Sequence, residues 1–103
     1  MRFAVRLTTA AIEDLQRLYE HLLDRATTAD DLDLANLARA AILASLRRLE
    51  SEPFPYRKAG GSAFLRELLV PFSGSGHVVL YEIVDSERVD VLAVRHQRED
   101  DYH

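Results

Sequence analysis

The chain has 103 residues, 48% of them hydrophobic and 29% charged, with 13 Lys+Arg against 17 Asp+Glu and neither Cys nor Trp. A chain of this size buries about 65% of the surface its unfolded form exposes, which suffices for one core, so residues 1–103 are expected to form a single domain. The net charge of −4 argues against affinity for bulk nucleic acid or anionic lipid, and the lack of Cys excludes disulfides, thiol nucleophiles and Cys-ligated zinc. Arg2 and Arg6 interrupt the opening segment, which is too short for a secretory h-region. No apolar run approaches the length that spans a bilayer, so the expected location is the cytoplasm.

From Arg2 to Leu7, large apolar residues at positions 3, 5 and 7 alternate with polar or small ones, the period of a half-buried strand. Thr8 or Thr9 caps the helix that follows, with Glu13 and Asp14 in its first turn. Ile12, Leu15, Tyr19, Leu22 and Ala26 then recur at helical spacing, and helix one runs to about Arg25. Thr28 and Asp31 mark a second cap. From there to Glu50 the chain has no Gly or Pro and is dense in Leu and Ala, which predicts helix two. The short connection makes the pair an antiparallel hairpin.

Ser51 to Gly61 carries two prolines and two glycines and reads as a loop. Ala63 to Val70 is predicted as strand two, Pro71 to Gly76 as a loop and His77 to Val84 as strand three. Asp85 to Glu87 turn the chain into strand four, Val89 to Val94. The order βααβββ is an α+β domain, with the last three strands in an antiparallel meander.

Strand three is apolar on both faces, with Val79, Tyr81 and Ile83 on one and Val78, Leu80 and Val84 on the other. Strand four repeats this with Val89/Val91 opposite Leu92/Val94. One helical hairpin covers one face of a sheet, so the second face calls for another cover. Helix two carries a main stripe of Ala35, Ala38, Ile42, Leu46 and Leu49 and a narrower one, roughly opposite, of Leu37, Ala40 and Ala44. Charge divides unevenly. Residues 8–52 hold 9 acidic and 5 basic side chains, whereas the rest of the chain holds 8 of each.

The four histidines (21, 77, 96, 103) lack metal-ligand spacing, and His21 falls on the polar side of helix one. Gly74-Ser75-Gly76 joins two strands and does not open a helix, so it is no phosphate cradle. Neither a metal nor another cofactor is expected. The run Val94 to His103 crowds cationic, titratable and aromatic groups into ten residues. It reads either as a recognition or acid/base element or as a polar tail.

Ala11 to Tyr19 (AIEDLQRLY), Leu46 to Pro53, LREL at 65–68, GHVVLYEI at 76–83 and VLAVRHQR at 91–98 followed by EDDYH resemble, in order and spacing, the RelE/ParE superfamily of toxins from type II toxin–antitoxin modules. The resemblance implies a βααβββ fold, with a helical hairpin packed on one face of a small, mainly antiparallel sheet. It also implies an antitoxin that wraps the toxin, here over Leu37, Ala40, Ala44, Val78, Leu80 and Leu92. RelE-like members cut mRNA on the ribosome with a basic surface and C-terminal Arg and Tyr or His groups, for which His96, Arg98, Tyr102 and His103 are the counterparts. ParE-like members poison DNA gyrase. Leu65, Glu67 and Leu69 stand where the nucleases carry lysines, and His77-Val78 replaces their Tyr-Arg. The resemblance is therefore closer to ParE, and Arg66, Arg95, His96, Arg98 and Tyr102 would meet the target. A ribosome-dependent endoribonuclease and an interaction module without toxicity are the alternatives.

Overall fold

The computed structural model describes residues 2–72 and 75–97. In chain order the elements are β1 (Ala4–Leu7), α1 (Thr9–Asp24), α2 (Ala29–Arg48), β2 (Arg57–Lys58), β3 (Leu65–Phe72), β4 (Ser75–Ile83) and β5 (Arg88–His96). The strands form one sheet in the order β1-β5-β4-β3-β2, with β1 parallel to β5 and every other pair antiparallel. Two helices on this mostly antiparallel sheet give the α+β fold that the resemblance implies. Among the described residues, no helix is long and apolar enough to cross a membrane.

Strand boundaries differ from expectation: β4 starts at Ser75, inside the expected loop 71–76, β5 runs on to His96, and two further differences have a physical reason. The predicted loop 51–61 contains β2, a two-residue edge strand whose Arg57 and Lys58 lie opposite Glu67 and Arg66. β3 continues through Pro71 to Phe72, a stretch expected to be loop. Here β3 pairs only with β4, since β2 reaches no further than Glu67. A proline without an N–H is tolerated on such an open edge.

The core lies between the sheet and the helices. Leu68 and Val70 of β3, Val79, Tyr81 and Ile83 of β4, and Val89, Val91 and Val94 of β5 are buried with Ala11, Leu18, Ile42, Leu46 and Leu49. Simple alternation puts Val94 opposite Val89 and Val91, but all three share the core. A β-bulge explains the correction: Tyr81 pairs with Val91 and Leu80 with Ala93, so Leu92 is an extra residue that resets the phase. α1 is rotated relative to its expected stripe. Its buried residues are Ala11, Asp14 and Leu18, whereas Ile12 is 53% exposed.

The cause of that rotation is the junction with β5. β1 ends at Leu7, opposite Val91, and leaves the following edge of β5 without a strand. Thr8 takes over by donating from its amide to the Val91 carbonyl (3.0 Å) and from Oγ1 to the carbonyls of Val91 (3.0 Å) and Leu92 (3.3 Å). The same Oγ1 accepts from the Ala11 amide and caps α1. One turn on, Asp14 Oδ2 accepts the buried Val94 amide at 2.9 Å. Asp14 is thus no first-turn dipole partner but a side chain that completes the sheet's hydrogen bonding.

α2 opens with a reciprocal capping box. Thr28 Oγ1 accepts from the Asp31 amide (3.1 Å), and Asp31 Oδ2 accepts from the amides of Thr27 (2.9 Å) and Thr28 (3.2 Å). These bonds, those from Thr27 foremost, lower the Asp31 pKa. At the other end of the hairpin, the Tyr81 hydroxyl donates to the Pro53 carbonyl at 2.6 Å, anchoring the loop after α2. Burial holds this phenol well above its ordinary pKa. Gly76, facing Pro71 across the β3–β4 connection, is needed for close approach: a Cβ there would lie 2.6 Å from the Val70 carbonyl oxygen.

Three outcomes are expected. Asp14→Ala strands a buried amide and should destabilise by about 1–3 kcal/mol in denaturant unfolding, whereas Asp14→Asn, which keeps an acceptor, should lose less. Gly76→Ala should cost about 1–3 kcal/mol, read as a drop in Tm of several degrees, because backbone cannot yield as a side chain does. Because the Asp31 pKa is depressed on folding, its stabilisation is complete above the ordinary aspartate value of 3.8 and is lost as pH falls through and below it. The stability difference between wild type and Asp31→Asn should therefore shrink on acidification.

Candidate functional site

Strand alternation separates the residues expected to meet one target. On β5, Arg95 pairs with Val78 on the sheet's outer face, away from the helices, and His96 pairs with His77 on the helix side. The His77 and His96 rings meet edge to face with centroids 5.6 Å apart. With Leu22, Arg25, Leu34 and Phe72 they border a surface cavity of about 270 Å³. Arg66 lies across from Tyr81, four residues along β4 from His77. At 3.3 Å per residue that is about 13 Å away. Arg66, Arg95 and His96 therefore do not form one local cluster. Arg98, Tyr102 and His103 lie outside the described residues.

Arg66 is turned inward as a clamp. Its Nε donates to the Ala63 carbonyl (2.8 Å), and Nη1 donates to those of Phe54 (2.5 Å) and Tyr56 (2.9 Å). The outer face carries the chain's main charge cluster. Arg57 Nε donates to Glu67 Oε1 at 3.0 Å, while Glu67 Oε2 lies 4.0 Å from Arg95 Nη2. Arg95 Nη1 also donates to the carbonyls of His96 and Gln97 at 3.3 and 3.4 Å. On the same sheet, Arg88 Nε is 3.3 Å from Asp90 Oδ1. Each of these guanidiniums has a carboxylate beside it, so the face presents alternating charge and not a cationic surface. Among the described residues, no group of three or more His or carboxylate side chains is placed to hold a metal ion.

The apolar residues expected to hold a partner fall into two groups. Leu37 (58% exposed), Ala40 and Ala44 form an open stripe on α2. On the outer sheet face, Leu80 and Leu92 are half-buried, but Val78 is 1% exposed and already buried within the chain. Exposed Leu69, which pairs with Val78, extends this face. Sequence reasoning also missed a groove of about 300 Å³ between the helices, lined by Ile12, Leu15, Gln16, Tyr19, Arg39 and Leu43. Its wall is built by the Tyr19 hydroxyl donating to Asn36 Oδ1 (2.7 Å) and by Arg39 lying 5.4 Å from the Tyr19 ring centroid. Ile12 was the available signal, but its spacing assigned it to the core.

The family model described as the ParE toxin of type II toxin–antitoxin system, parDE, matches residues 5–101. Among solved structures, the chain is similar to one described as the chromosomal ParDE TA system from P. aeruginosa, with a TM-score of 0.70 and 14% identity. The alignment covers 92% of this chain and 96% of that one, and at this identity the likeness concerns the fold. No curated protein matches the chain. A family match across nearly every residue, on a fold similar to that of the solved structure, places the chain in the ParE toxin family of type II toxin–antitoxin systems.

Proposed function

We propose that the chain arrests growth by binding a protein target, DNA gyrase, and that a co-encoded antitoxin silences it in the cytoplasm. The observation that carries this reading is Glu67, seated between Arg57 and Arg95 on the outer face. Cleavage of a phosphodiester calls for preorganised cations aimed at developing negative charge, and ribosomal RNA demands many more. A carboxylate at the centre of the sheet's basic residues counters both. It would sit beside any phosphate that approached Arg95 and repel it. The net charge of −4 acts in the same direction over longer range.

The antitoxin is proposed to cover Leu37, Ala40 and Ala44 on α2 and Leu80 and Leu92 on the outer sheet face. The exposure of the α2 stripe supports this assignment. A short apolar stripe on a surface helix is the kind of feature that an amphipathic partner helix buries. Val78 forms the floor beneath the sheet contacts instead of a free contact of its own.

Expression without the antitoxin should raise gyrase cleavage complexes and DNA double-strand breaks, with mRNA intact at ribosome-occupied codons. Mapped codon-specific cuts with gyrase undisturbed would replace this reading with a nuclease that uses His96 and the C-terminal Arg98, Tyr102 and His103. Undisturbed growth would favour an interaction module without toxicity. Leu37→Asp should stay toxic but need at least tenfold more antitoxin for rescue, measured by titrating antitoxin expression.

A further inference from the structure

At the end of the sheet away from His96, two of the chain's four phenylalanines stand at the surface around one cavity. Phe54 is 49% and Phe64 54% exposed, and with Ile83, Val84, Asp85 and Ser86 they line about 320 Å³. Large aromatic side chains left half in water contribute nothing to the fold by that half and are the commonest anchors of protein interfaces.

The platform is held rigid. Phe54 lies in the loop after α2 and Phe64 just before β3, and the Arg66 guanidinium bridges the two segments through the Phe54 and Ala63 carbonyls. The Phe54 ring packs edge to face on Phe3 at 6.1 Å, and the Phe64 carbonyl accepts from the Ile83 amide at 2.8 Å. A rigid platform binds without an ordering cost.

The one charged side chain that lines it is acidic. Asp85 lines the cavity, and exposed Glu87 and Glu52 flank its two sides in sequence. The neighbouring guanidiniums are engaged: Arg66 by carbonyls, Arg88 by Asp90 and Arg2 by Glu50. Lys58, on the edge strand opposite Arg66, does not line the cavity. An apolar cleft with a carboxylate at its lip favours an apolar side chain flanked by cations over one flanked by carboxylates.

We propose that the Phe54/Phe64 platform is a protein-docking surface for a segment that inserts a large apolar side chain with Lys or Arg next to it. It is distinct from the α2 stripe and does not depend on which macromolecule the toxin attacks. The test uses the full chain and two blocked peptides, Lys-Leu-Trp-Leu-Lys and Glu-Leu-Trp-Leu-Glu, followed by amide chemical shifts. The basic peptide should shift Phe64, Val84, Asp85 and Ser86 saturably, and the acidic one should bind at least tenfold more weakly. Phe64→Ser should weaken the basic peptide at least tenfold with Tm changed by only a few degrees. Should Phe64→Ser fail to fold, the surface variant Asp85→Asn/Glu87→Gln should still erase most of the preference for the basic peptide. Equal binding of both peptides, shifts centred elsewhere, or no effect of these variants would overturn the proposal. So would self-association that Phe64→Ser abolishes, which would give the platform to a second copy of the chain.

Discussion

β5 has a strand on one side along its whole length but on the other only as far as Val91, where β1 stops. A strand edge that enters the core without partners would bury unmade hydrogen bonds, so the chain must cover it at once. It does so with the first turns of α1: Thr8 meets the carbonyls of Val91 and Leu92, and Asp14 takes the Val94 amide. These contacts fix the rotation of α1, which fixes which residues it buries. They also stabilise the bulge at Leu92, which returns Val94 to the core. The position of the helical hairpin over the sheet follows from a few hydrogen bonds at one strand's end.

The sheet's outer face shows how carboxylates are set among cations across neighbouring strands. Cross-strand partners sit about 5 Å apart, so a carboxylate answers a cation on the adjacent strand directly, and a long side chain two strands away can still reach it. Glu67 on β3 faces Arg57 on β2 and, two strands over, approaches Arg95 on β5. With Arg88 beside Asp90 as well, the face sets carboxylates among its arginines. Arg66, counted among the basic residues by its charge, is taken out of contention by geometry and serves as a brace for two loops.

What the sequence made legible is the part governed by local rules. The order of the two helices and the four longer strands, the Thr28 cap and the main stripe of α2 from Ala35 to Leu49 are set by short-range spacing, and the structure reproduces them. β2 escaped notice because two residues carry no period; only their register with Glu67 and Arg66 makes them a strand. Val94 escaped because one extra residue inverts alternation, and nothing local in Val91-Leu92-Ala93-Val94 marks a bulge. Asp14 looked like a dipole partner because its true ligand lies eighty residues away. The candidate target set failed as a cluster for a related reason: Arg95 and His96 are neighbours in sequence, and on a strand that places them on opposite faces.

The parallel pairing of β1 with β5 sets a schedule for the chain. β1 has no other strand neighbour, so residue 5 must wait for residue 89, and α1 likewise waits for the Val94 amide. Synthesis delivers β1 and α1 some eighty residues before their common partner, the long-range arrangement that forms slowly. Without β5 the sheet has a gap between β1 and β4. Translation products that stop short of β5 therefore lack the strand that joins the two halves. Folding of this domain becomes a checkpoint on the presence of β5.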